Sequence, residues 1–382
     1  MKRIICICLV LALVGVGLPA RASAAELDTE GKSAILIDAA TGTILYEKNA
    51  HEPLAPASVT KVMTMLLIME AIDDGRIHWN DQVVTSEAAA AKGGSQIFLK
   101  VGESMSVTDM VKSIAVSSAN DCACAMAEHI AGSESAFVDM MNARAKELGM
   151  NDTHFVNCTG LDDDETAKDH KTSAHDIALM SRELLVNHPD IKQFTTIWMD
   201  TVRNGQFGLS NTNKLVRFYQ GATGLKTGFT SGAGYCLSAA AQRDGMELIA
   251  VVMGCETSAG RFAACKSMLD YGFANYAIVT PAVEGPLQVS VKLGTANTVT
   301  AAPAHQNALL IEKSQKNLIH FETELAQEVS APVSKGQRLG TLTVKADQQV
   351  LCQVPLVSQA AIPQLTRGQM FLRILQQMCF RQ

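Results

Sequence analysis

The hydrophobic pattern divides the chain into segments of different period. Early in the chain, "SAILIDAATGTILYEKN" holds two short β-rich runs around an Ala-Thr-Gly turn, which predicts a hairpin. From Ser58 to about Leu185 the apolar positions follow helical patterns. Within this stretch Ser106 and Ser173 each precede an acid by three residues, a pattern typical of helix starts. A long helical region therefore follows the first hairpin.

Near Gly221 the period changes from helical to strand-like. "GYCLSAAAQ" and "MELIAVVMG" are joined by Arg243-Asp244-Gly245, which predicts a second hairpin, and "AGRFAACKSMLDYGFANY" returns to a helical pattern. Strands from both ends of this region, with helices between them, predict an α+β fold of three layers. We expect the first hairpin to join the later strands in one antiparallel sheet.

Beyond "VTPAVEGP" the pattern becomes that of a small all-β domain. The strand candidates, separated by turn signals, are "LQVSVKLG", "NALLIEK", "LIHFETEL", "QRLGTLTVKA" and "QVLCQVPLV". The final stretch, "PQLTRGQMFLRILQQMCFRQ", is helical, with apolar residues interleaved with Arg367, Arg373 and Arg381. Such a basic amphipathic tail is predicted to lie in a membrane interface. The alternative is a helix docked on the β domain.

The N-terminus has the three parts of a secretory signal peptide. A basic start is followed by an apolar run that ends at Leu18 and by the small residues Ala22-Ser23-Ala24. We predict cleavage after Ala24 or Ala25, so that the working protein lies outside the cytoplasmic membrane. The alternative, an uncleaved anchor, is disfavoured because the apolar run is short for a membrane span.

Composition narrows the function classes. The 382 residues carry a net charge of −6, which argues against a general electrostatic grip on nucleic acid. Of the ten cysteines, Cys6 and Cys8 would leave with the signal peptide. The remaining eight show no regular spacing, so we expect most to be small buried residues, while oxidation of one pair stays open. His170 and His175 are five residues apart, unlike a zinc pair on a helix, so we predict solvated histidines, no metal and no cofactor.

One lysine is placed where losing its hydration is costly. Lys61 lies near the start of an almost wholly apolar helix, "SVTKVMTMLLIMEAI", one turn after Ser58. Residues three apart share a helix face, so the amine can approach the serine hydroxyl. Burial lowers the pKa of a lysine, and a neutral amine could take the hydroxyl proton and make Ser58 a nucleophile.

Two further motifs support this interpretation. Ser118-Ala119-Asn120 lies in a polar break between helical patterns, and Lys226-Thr227-Gly228 lies just before a strand. Ser-x-x-Lys, Ser-Asp-Asn and Lys-Thr-Gly in this order are the signature of penicillin-binding proteins and class A β-lactamases, and the middle motif here differs from it at Ala119. The three motifs together are far more specific than any one of them.

The chain resembles the low-molecular-mass penicillin-binding proteins, the serine D-alanyl-D-alanine carboxypeptidases of peptidase family S11. The match is closest in "LAPASVTKVMT", "VSSANDCA", "GLKTGFTSGAGYCL" and "AGRFAACKSML". The resemblance implies a β-lactamase/transpeptidase-like domain, an antiparallel sheet flanked by helices, followed by the small all-β domain and the amphipathic helix. The predicted boundaries are 1–24 for the signal peptide, 25–280 for the catalytic domain, 281–357 for the β domain and 358–382 for the helix.

The resemblance also implies the role of each site residue. Ser58 would be the acylated nucleophile, Lys61 its base and Ser118 the proton relay to the leaving amine. Asn120 would bond the substrate amide and hold Lys61. The remaining substrate-binding residues would be Lys226, Thr227, Gly228, Phe229 and Arg261, with the backbone N–H groups of Ser58 and Phe229 as the oxyanion hole. Ala119 and Phe229 depart from the residues that many relatives carry.

The predicted partners are peptidoglycan stem peptides, β-lactam antibiotics as covalent inhibitors, and the outer face of the cytoplasmic membrane through the C-terminal helix. We expect an exported enzyme that releases the terminal D-alanine of stem pentapeptides. A DD-endopeptidase or a β-lactamase of the same fold are the rival enzymes. A non-catalytic peptidoglycan-binding relative is disfavoured, because a binder has no need of both Lys61 and Lys226.

Overall fold

The computed structural model of the chain describes residues 27, 29–163, 165–283, 285–305 and 308–379, so the predicted signal peptide and Arg381 lie outside it. The strands are β1 (Ser33–Asp38), β2 (Ile44–Lys48), β3 (Gln82–Val84), β4 (Ser104–Ser106), β5 (Met199–Val202), β6 (Phe207–Ser210), β7 (Ala222–Thr230), β8 (Gly234–Arg243), β9 (Met246–Cys255), β10 (Tyr276–Val279), β11 (Leu287–Lys292), β12 (Thr298–Pro303), β13 (Leu309–Glu312), β14 (Ile319–Leu325), β15 (Glu328–Ser330), β16 (Arg338–Ala346) and β17 (Gln349–Ser358). The helices are α1 (Lys61–Asp73), α2 (Glu87–Ala90), α3 (Val107–Ser117), α4 (Asn120–Ala131), α5 (Glu134–Glu147), α6 (Ala174–Asn187), α7 (Lys192–Thr195), α8 (Leu215–Phe218), α9 (Ser258–Asn275) and α10 (Arg367–Cys379). A 3₁₀ turn, Ala57–Thr60, leads directly into α1.

A five-stranded antiparallel sheet forms the centre of the α+β part. Its strand order is β2-β1-β9-β8-β7, so the first hairpin pairs with the strands that follow the helices. Asp244 and Gly245, between β8 and β9, have φ of 49° and 80°, which suits a two-residue hairpin turn. The prediction of one antiparallel sheet from both ends of this region is confirmed.

Helices cover both faces of the sheet. Met268 and Leu269 of α9 share a hydrophobic core with Leu248 of β9 on one face. On the other face, Ile249 and Val251 join the larger core that contains α1 and α3 to α6. β9 is buried along its whole length because it is the central strand and is covered on both faces. The arrangement is the predicted α+β fold of three layers.

Two helices begin directly after the serine residues that the sequence predicted as their N-caps. Ser106 Oγ accepts the N–H of Asp109 at 3.1 Å, and Ser173 Oγ accepts the N–H of Asp176 at 3.2 Å. Both are N-cap bonds, which satisfy donors that the first helical turn leaves open. α1 lacks a side-chain cap and is buried on nearly every face, as expected for an apolar helix in the interior of a domain.

Side chains are described for seven cysteines, and none of these seven is in a disulfide. Cys352 is half-buried, and the other six are buried in the α+β part: Cys122, Cys124, Cys158, Cys236, Cys255 and Cys265. The prediction that most cysteines are buried as small apolar residues is therefore confirmed. All seven are free thiols in the structure.

A six-stranded sheet of order β14-β16-β17-β12-β11-β15 follows. Its pairs are antiparallel except β11 with β15, which are parallel. The sequence analysis did not identify β12 or β15. It also placed "NALLIEK" in this domain, whereas β13 pairs with β10, the strand directly after α9. The all-β domain is present, with a partly different strand composition.

Residues 358–366, assigned to the terminal helix from the sequence, are not helical. Ile362 forms a β-bridge with Val333 and belongs to the core of the β domain, and Gln364 forms a bridge with Gly294. The helix α10 begins only at Arg367. Across the described ranges, no helix has both the length and the apolar character needed to cross a membrane.

The central strand yields a stability prediction. Leu248→Ala is expected to lower the free energy of unfolding by about 2–5 kcal/mol, because Leu248 is fully buried against α9 and its loss leaves a cavity. Val84→Ala, at a position that is 62% exposed, is expected to change it by less than about 0.5 kcal/mol. Urea unfolding followed by circular dichroism measures both, and equal losses would contradict this account of the core.

Candidate active site

Ser58 and Lys61 lie where the 3₁₀ turn passes into α1. Lys61 Nζ donates hydrogen bonds to Ser58 Oγ at 2.8 Å and to the carbonyl oxygen of Thr159 at 2.8 Å. Lys61 is fully buried, whereas Ser58 is half-buried. The structure thus brings the amine and the hydroxyl together as their spacing predicted.

The two lysines of the site share a low-dielectric environment. Burial lowers the pKa of Lys61 to about 7, although the nearby Cys158 and Asp121 oppose part of this shift. Burial also lowers the pKa of Lys226 well below its usual value, and the positive charges of Lys61 and Arg261 lower it further. A substantial fraction of Lys61 is therefore neutral at physiological pH, when its amine can accept a proton.

The turn before Ser58 is tightly packed and strained. Ala57 has a φ of +48°, in the left-handed region that non-glycine residues rarely adopt. Gly160 lies against it, and a Cβ at position 160 would be 1.8 Å from the carbonyl oxygen of Ala57. Only glycine fits there, so the segment that carries Thr159 rests directly on the turn that presents the hydroxyl.

The second motif forms the break between α3 and α4. Ser118 is buried and has left-handed geometry, with φ of 61°. Asn120 Nδ2 donates to the carbonyl oxygen of Gly93 at 2.7 Å, and Asn120 Oδ1 is buried without a hydrogen-bond partner among the described residues. The expectation that Asn120 holds Lys61 is not met, because the hydrogen bonds of Lys61 go to Ser58 and Thr159.

The third motif lies on β7, at the edge of the sheet. Lys226 Nζ donates to the carbonyl oxygen of Thr227 at 3.0 Å, and Thr227 Oγ1 donates to Thr212 Oγ1 at 2.7 Å. A Cβ on Gly228 would lie 2.6 Å from the carbonyl oxygen of Pro56, so glycine allows the strand to pass directly against the turn of Ser58. The third motif therefore lies against the turn that carries the first, and Asp121, next to Asn120 of the second motif, is near enough to Lys61 to raise its pKa.

Phe229 belongs to β7, and Arg261 lies beside this strand. Arg261, on α9, is buried and donates to the carbonyl oxygen of Gly228 at 2.8 Å. The Phe229 ring is 53% exposed and stacks on Tyr235, with centroids 4.2 Å apart. The guanidinium of Arg261 lies 5.2 Å from the centre of the same Tyr235 ring. Arg261 thus bonds the backbone of the motif directly.

Sequence reasoning missed several polar groups of this site. Thr159 acts through its carbonyl oxygen, which no residue type reveals, and Thr212 belongs to no motif. His170 was predicted to be solvated, and this is wrong: the side chain is buried, with Nε2 2.8 Å from Thr60 Oγ1. Its spacing from His175 excluded a zinc pair but carried no information on burial.

One cluster of possible metal ligands occurs among the described residues. Glu70, Glu183 and His188 each offer a ligand atom, and these atoms lie within 4.8 Å of one another. Arg144 already donates to Glu70 at 2.7 Å and to Glu183 at 2.6 Å. Since one guanidinium already bonds both carboxylates, the three residues belong to an ion-pair network, which does not favour a metal cation.

The chain is similar in sequence to known D-alanyl-D-alanine carboxypeptidases. A family model described as D-alanyl-D-alanine carboxypeptidase (peptidase S11) matches residues 20–257, and one described as penicillin-binding protein 5, C-terminal domain, matches residues 282–364. D-alanyl-D-alanine carboxypeptidase DacF of Bacillus subtilis (strain 168) is 45% identical over 340 residues, which cover 87% of this chain and 86% of the relative.

Solved structures show the same similarity. Penicillin binding protein 5 from Haemophilus influenzae aligns with a TM-score of 0.73 and 30% identity, covering 88% of this chain and 98% of that chain. Penicillin-Binding Protein D2 from Listeria monocytogenes, in an ampicillin-bound form, aligns with a TM-score of 0.59 and 32% identity, covering 65% and 99%. The chain therefore belongs to the peptidase S11 family of D-alanyl-D-alanine carboxypeptidases.

Proposed function

We propose that this protein is a serine D-alanyl-D-alanine carboxypeptidase that removes the terminal D-alanine from peptidoglycan stem pentapeptides. The observation that carries the proposal is the 2.8 Å contact between the Lys61 amine and the Ser58 hydroxyl. Because the pKa of Lys61 is lowered to about 7, the amine can be neutral and act as a base.

In the proposed acylation, Ser58 Oγ attacks the carbonyl carbon between the last two D-alanines and gives its proton to Lys61 Nζ. The backbone N–H groups of Ser58 and Phe229 stabilise the negative charge on the carbonyl oxygen. The peptide C–N bond breaks, and the leaving amine of D-alanine receives a proton through Ser118. Water then hydrolyses the ester on Ser58 and restores the hydroxyl.

The polar groups around Ser58 suit the two ends of this substrate. The terminal carboxylate would bind at β7, beside the Lys226 amine and the Thr227 hydroxyl. Arg261 supports this end through its bond to the Gly228 carbonyl. The unpartnered Oδ1 of Asn120 is an acceptor suited to an amide N–H of the stem peptide.

Penicillin is proposed to acylate Ser58 in the same way. The ampicillin-bound form of the Listeria protein is a property of that protein, and it supports the same reaction here because the fold is similar. The strained amide of a β-lactam mimics the D-Ala-D-Ala bond, and its opening leaves an ester on Ser58. Slow hydrolysis of this ester would distinguish the protein from a β-lactamase.

The terminal helix is proposed to bind the outer face of the cytoplasmic membrane after export through the predicted signal peptide. Five apolar side chains of α10 are exposed: Phe371, Leu372, Ile374, Leu375 and Met378. The opposite side faces the β domain, where Arg373 donates to the carbonyl oxygen of Gly294 at 3.1 Å. An apolar strip that points away from the protein supports an interfacial helix more than a fully docked one.

Release of D-alanine tests the enzymatic proposal. Incubation with a diacetyl-Lys-D-Ala-D-Ala tripeptide should yield free D-alanine, and Ser58→Ala should abolish both this release and covalent labelling by penicillin. Ser314→Ala removes an exposed hydroxyl in the other domain and should leave both unchanged. Labelling of the Ser58→Ala protein would contradict the nucleophile assignment. Cleavage of crosslinked muropeptide dimers alone would indicate an endopeptidase, and fast nitrocefin turnover a β-lactamase.

The lowered pKa of Lys61 predicts the pH profile of acylation. Since only the neutral amine accepts the Ser58 proton, the acylation rate constant should fall about tenfold per pH unit below about pH 7 and level off above it. Lys61→Arg should abolish acylation, because a guanidinium stays charged. Stopped-flow acylation by benzylpenicillin measures the profile. A single inflection near the pKa of a solvated lysine would show that burial does not activate this amine.

Vesicle binding tests the membrane proposal. Phe371→Glu places a charge in the exposed apolar strip and should weaken binding to phosphatidylcholine vesicles by about tenfold or more, because burial of a Phe side chain is lost. Gln376→Glu makes the same change in net charge at an exposed polar position of α10 and serves as the control. Co-sedimentation of the full chain measures both, and equal binding by the two variants would contradict the proposal.

A further inference from the structure

A chain of three hydrogen bonds ends on the peptide group that joins Ala57 to Ser58. The N–H of Val156 donates to His170 Nδ1 at 3.1 Å, and His170 Nε2 lies 2.8 Å from Thr60 Oγ1. Thr60 Oγ1 in turn donates to the carbonyl oxygen of Ala57 at 2.8 Å. Thr60 and His170 are both buried, so this chain is shielded from water.

The two ends of the chain fix the direction of every bond. Val156 N–H can only donate, so His170 Nδ1 carries the lone pair and Nε2 carries the proton. The Ala57 carbonyl can only accept, so the Thr60 hydroxyl proton points to it. His170 must then donate to Thr60 Oγ1. The arrangement requires one tautomer of a neutral imidazole.

The surroundings of His170 keep the imidazole neutral. Burial, together with the charges of His154 and Lys61, lowers the pKa of His170 to about 4. The edge of the ring also contacts Phe155, with centroids 5.6 Å apart. At neutral pH the ring therefore keeps the lone pair that Val156 needs.

The Ala57 carbonyl and the Ser58 N–H belong to one planar peptide group. In a trans peptide these two bonds point in opposite directions within the same plane, so a bond that holds the carbonyl also sets the direction of the N–H. This peptide needs such support, because Ala57 has a strained φ of +48°. Gly160 packs on the same carbonyl oxygen and limits its movement.

We propose that Thr60 and His170 are positioning residues that orient the Ser58 N–H as an oxyanion-hole donor. The inference rests on the proposed acylation of Ser58, in which this N–H meets the carbonyl oxygen of the substrate. Neither side chain touches the substrate; both act through the Ala57–Ser58 peptide. Binding before the reaction depends little on this donor, whereas the transition state depends on it strongly.

Thr60 and Thr64, which lie one helical turn apart, form a matched pair that tests the proposal. Thr64 Oγ1 donates to the carbonyl oxygen of Cys158 at 2.6 Å, so it also joins a buried hydroxyl to a buried carbonyl. It does not bond the Ala57–Ser58 peptide. Thr60→Val and Thr64→Val each remove one such hydroxyl with little change in volume, and should cost similar stability.

Acylation by benzylpenicillin is resolved by stopped flow into the noncovalent dissociation constant and the acylation rate constant. Thr60→Val should lower the rate constant by about 10- to 100-fold and change the dissociation constant by less than about threefold, as expected for a misdirected oxyanion donor. Thr64→Val should keep both constants within about threefold. The ester carbonyl stretch of the penicilloyl enzyme should move to higher wavenumber in Thr60→Val only.

Substitutions of His170 give a second test. In His170→Gln the side-chain amide can donate at the position of Nε2, whereas in His170→Asn it reaches only the position of Nδ1. The acylation rate constant of His170→Gln should therefore exceed that of His170→Asn by about tenfold, the loss expected when an oxyanion donor is misdirected.

An unchanged acylation rate constant in Thr60→Val would overturn the proposal, as would equal losses in Thr60→Val and Thr64→Val. Equal rate constants for the two His170 variants would also overturn it. Failure of the wild-type protein to form any acyl-enzyme would instead contradict the proposed function, so the two failures are distinguishable.

Discussion

Burial of the Lys61 amine is the constraint on which the rest of the structure depends. Removing an ammonium from water is costly, and the described residues offer this amine two hydrogen-bond acceptors, Ser58 Oγ and the Thr159 carbonyl, with the charge of Asp121 nearby. The loop that supplies Thr159 packs against the 3₁₀ turn that leads into α1, and the carbonyl of Ala57 leaves no room there for a Cβ on Gly160. A group that weakens the fold is what makes the serine reactive.

Features of the fold that depend on local pattern could be predicted from the sequence. Ser106 and Ser173 could be predicted as helix caps because each side chain bonds the backbone N–H only three residues later. The turn at Asp244-Gly245 could be predicted because these residue types readily adopt the positive φ that it needs. The contact of Ser58 with Lys61 was predictable for the same reason, since the two residues lie three positions apart, about one helical turn. β12 was missed because its alanines and its terminal Pro303 give a weak strand signal.

Features that depend on distant parts of the chain could not be predicted. His170 is buried because residues far away in sequence close over it, and its local surroundings of charged residues indicated exposure. Asn120 lies in the expected motif, yet Gly93, 27 residues earlier, determines the direction of its amide. The motif located the residue but not its partner, because the partner is a backbone group that any residue type could provide.

The free cysteines determine whether unfolding of the protein is reversible. Six thiols are held in the interior of the α+β part without a crosslink, so its folding needs no oxidation step and tolerates a reducing medium. If the molecule unfolds where oxidants are present, these thiols become exposed together and can pair at random. Unfolding would then become irreversible, and the lifetime of the protein would be set by its opening rate rather than by its equilibrium stability.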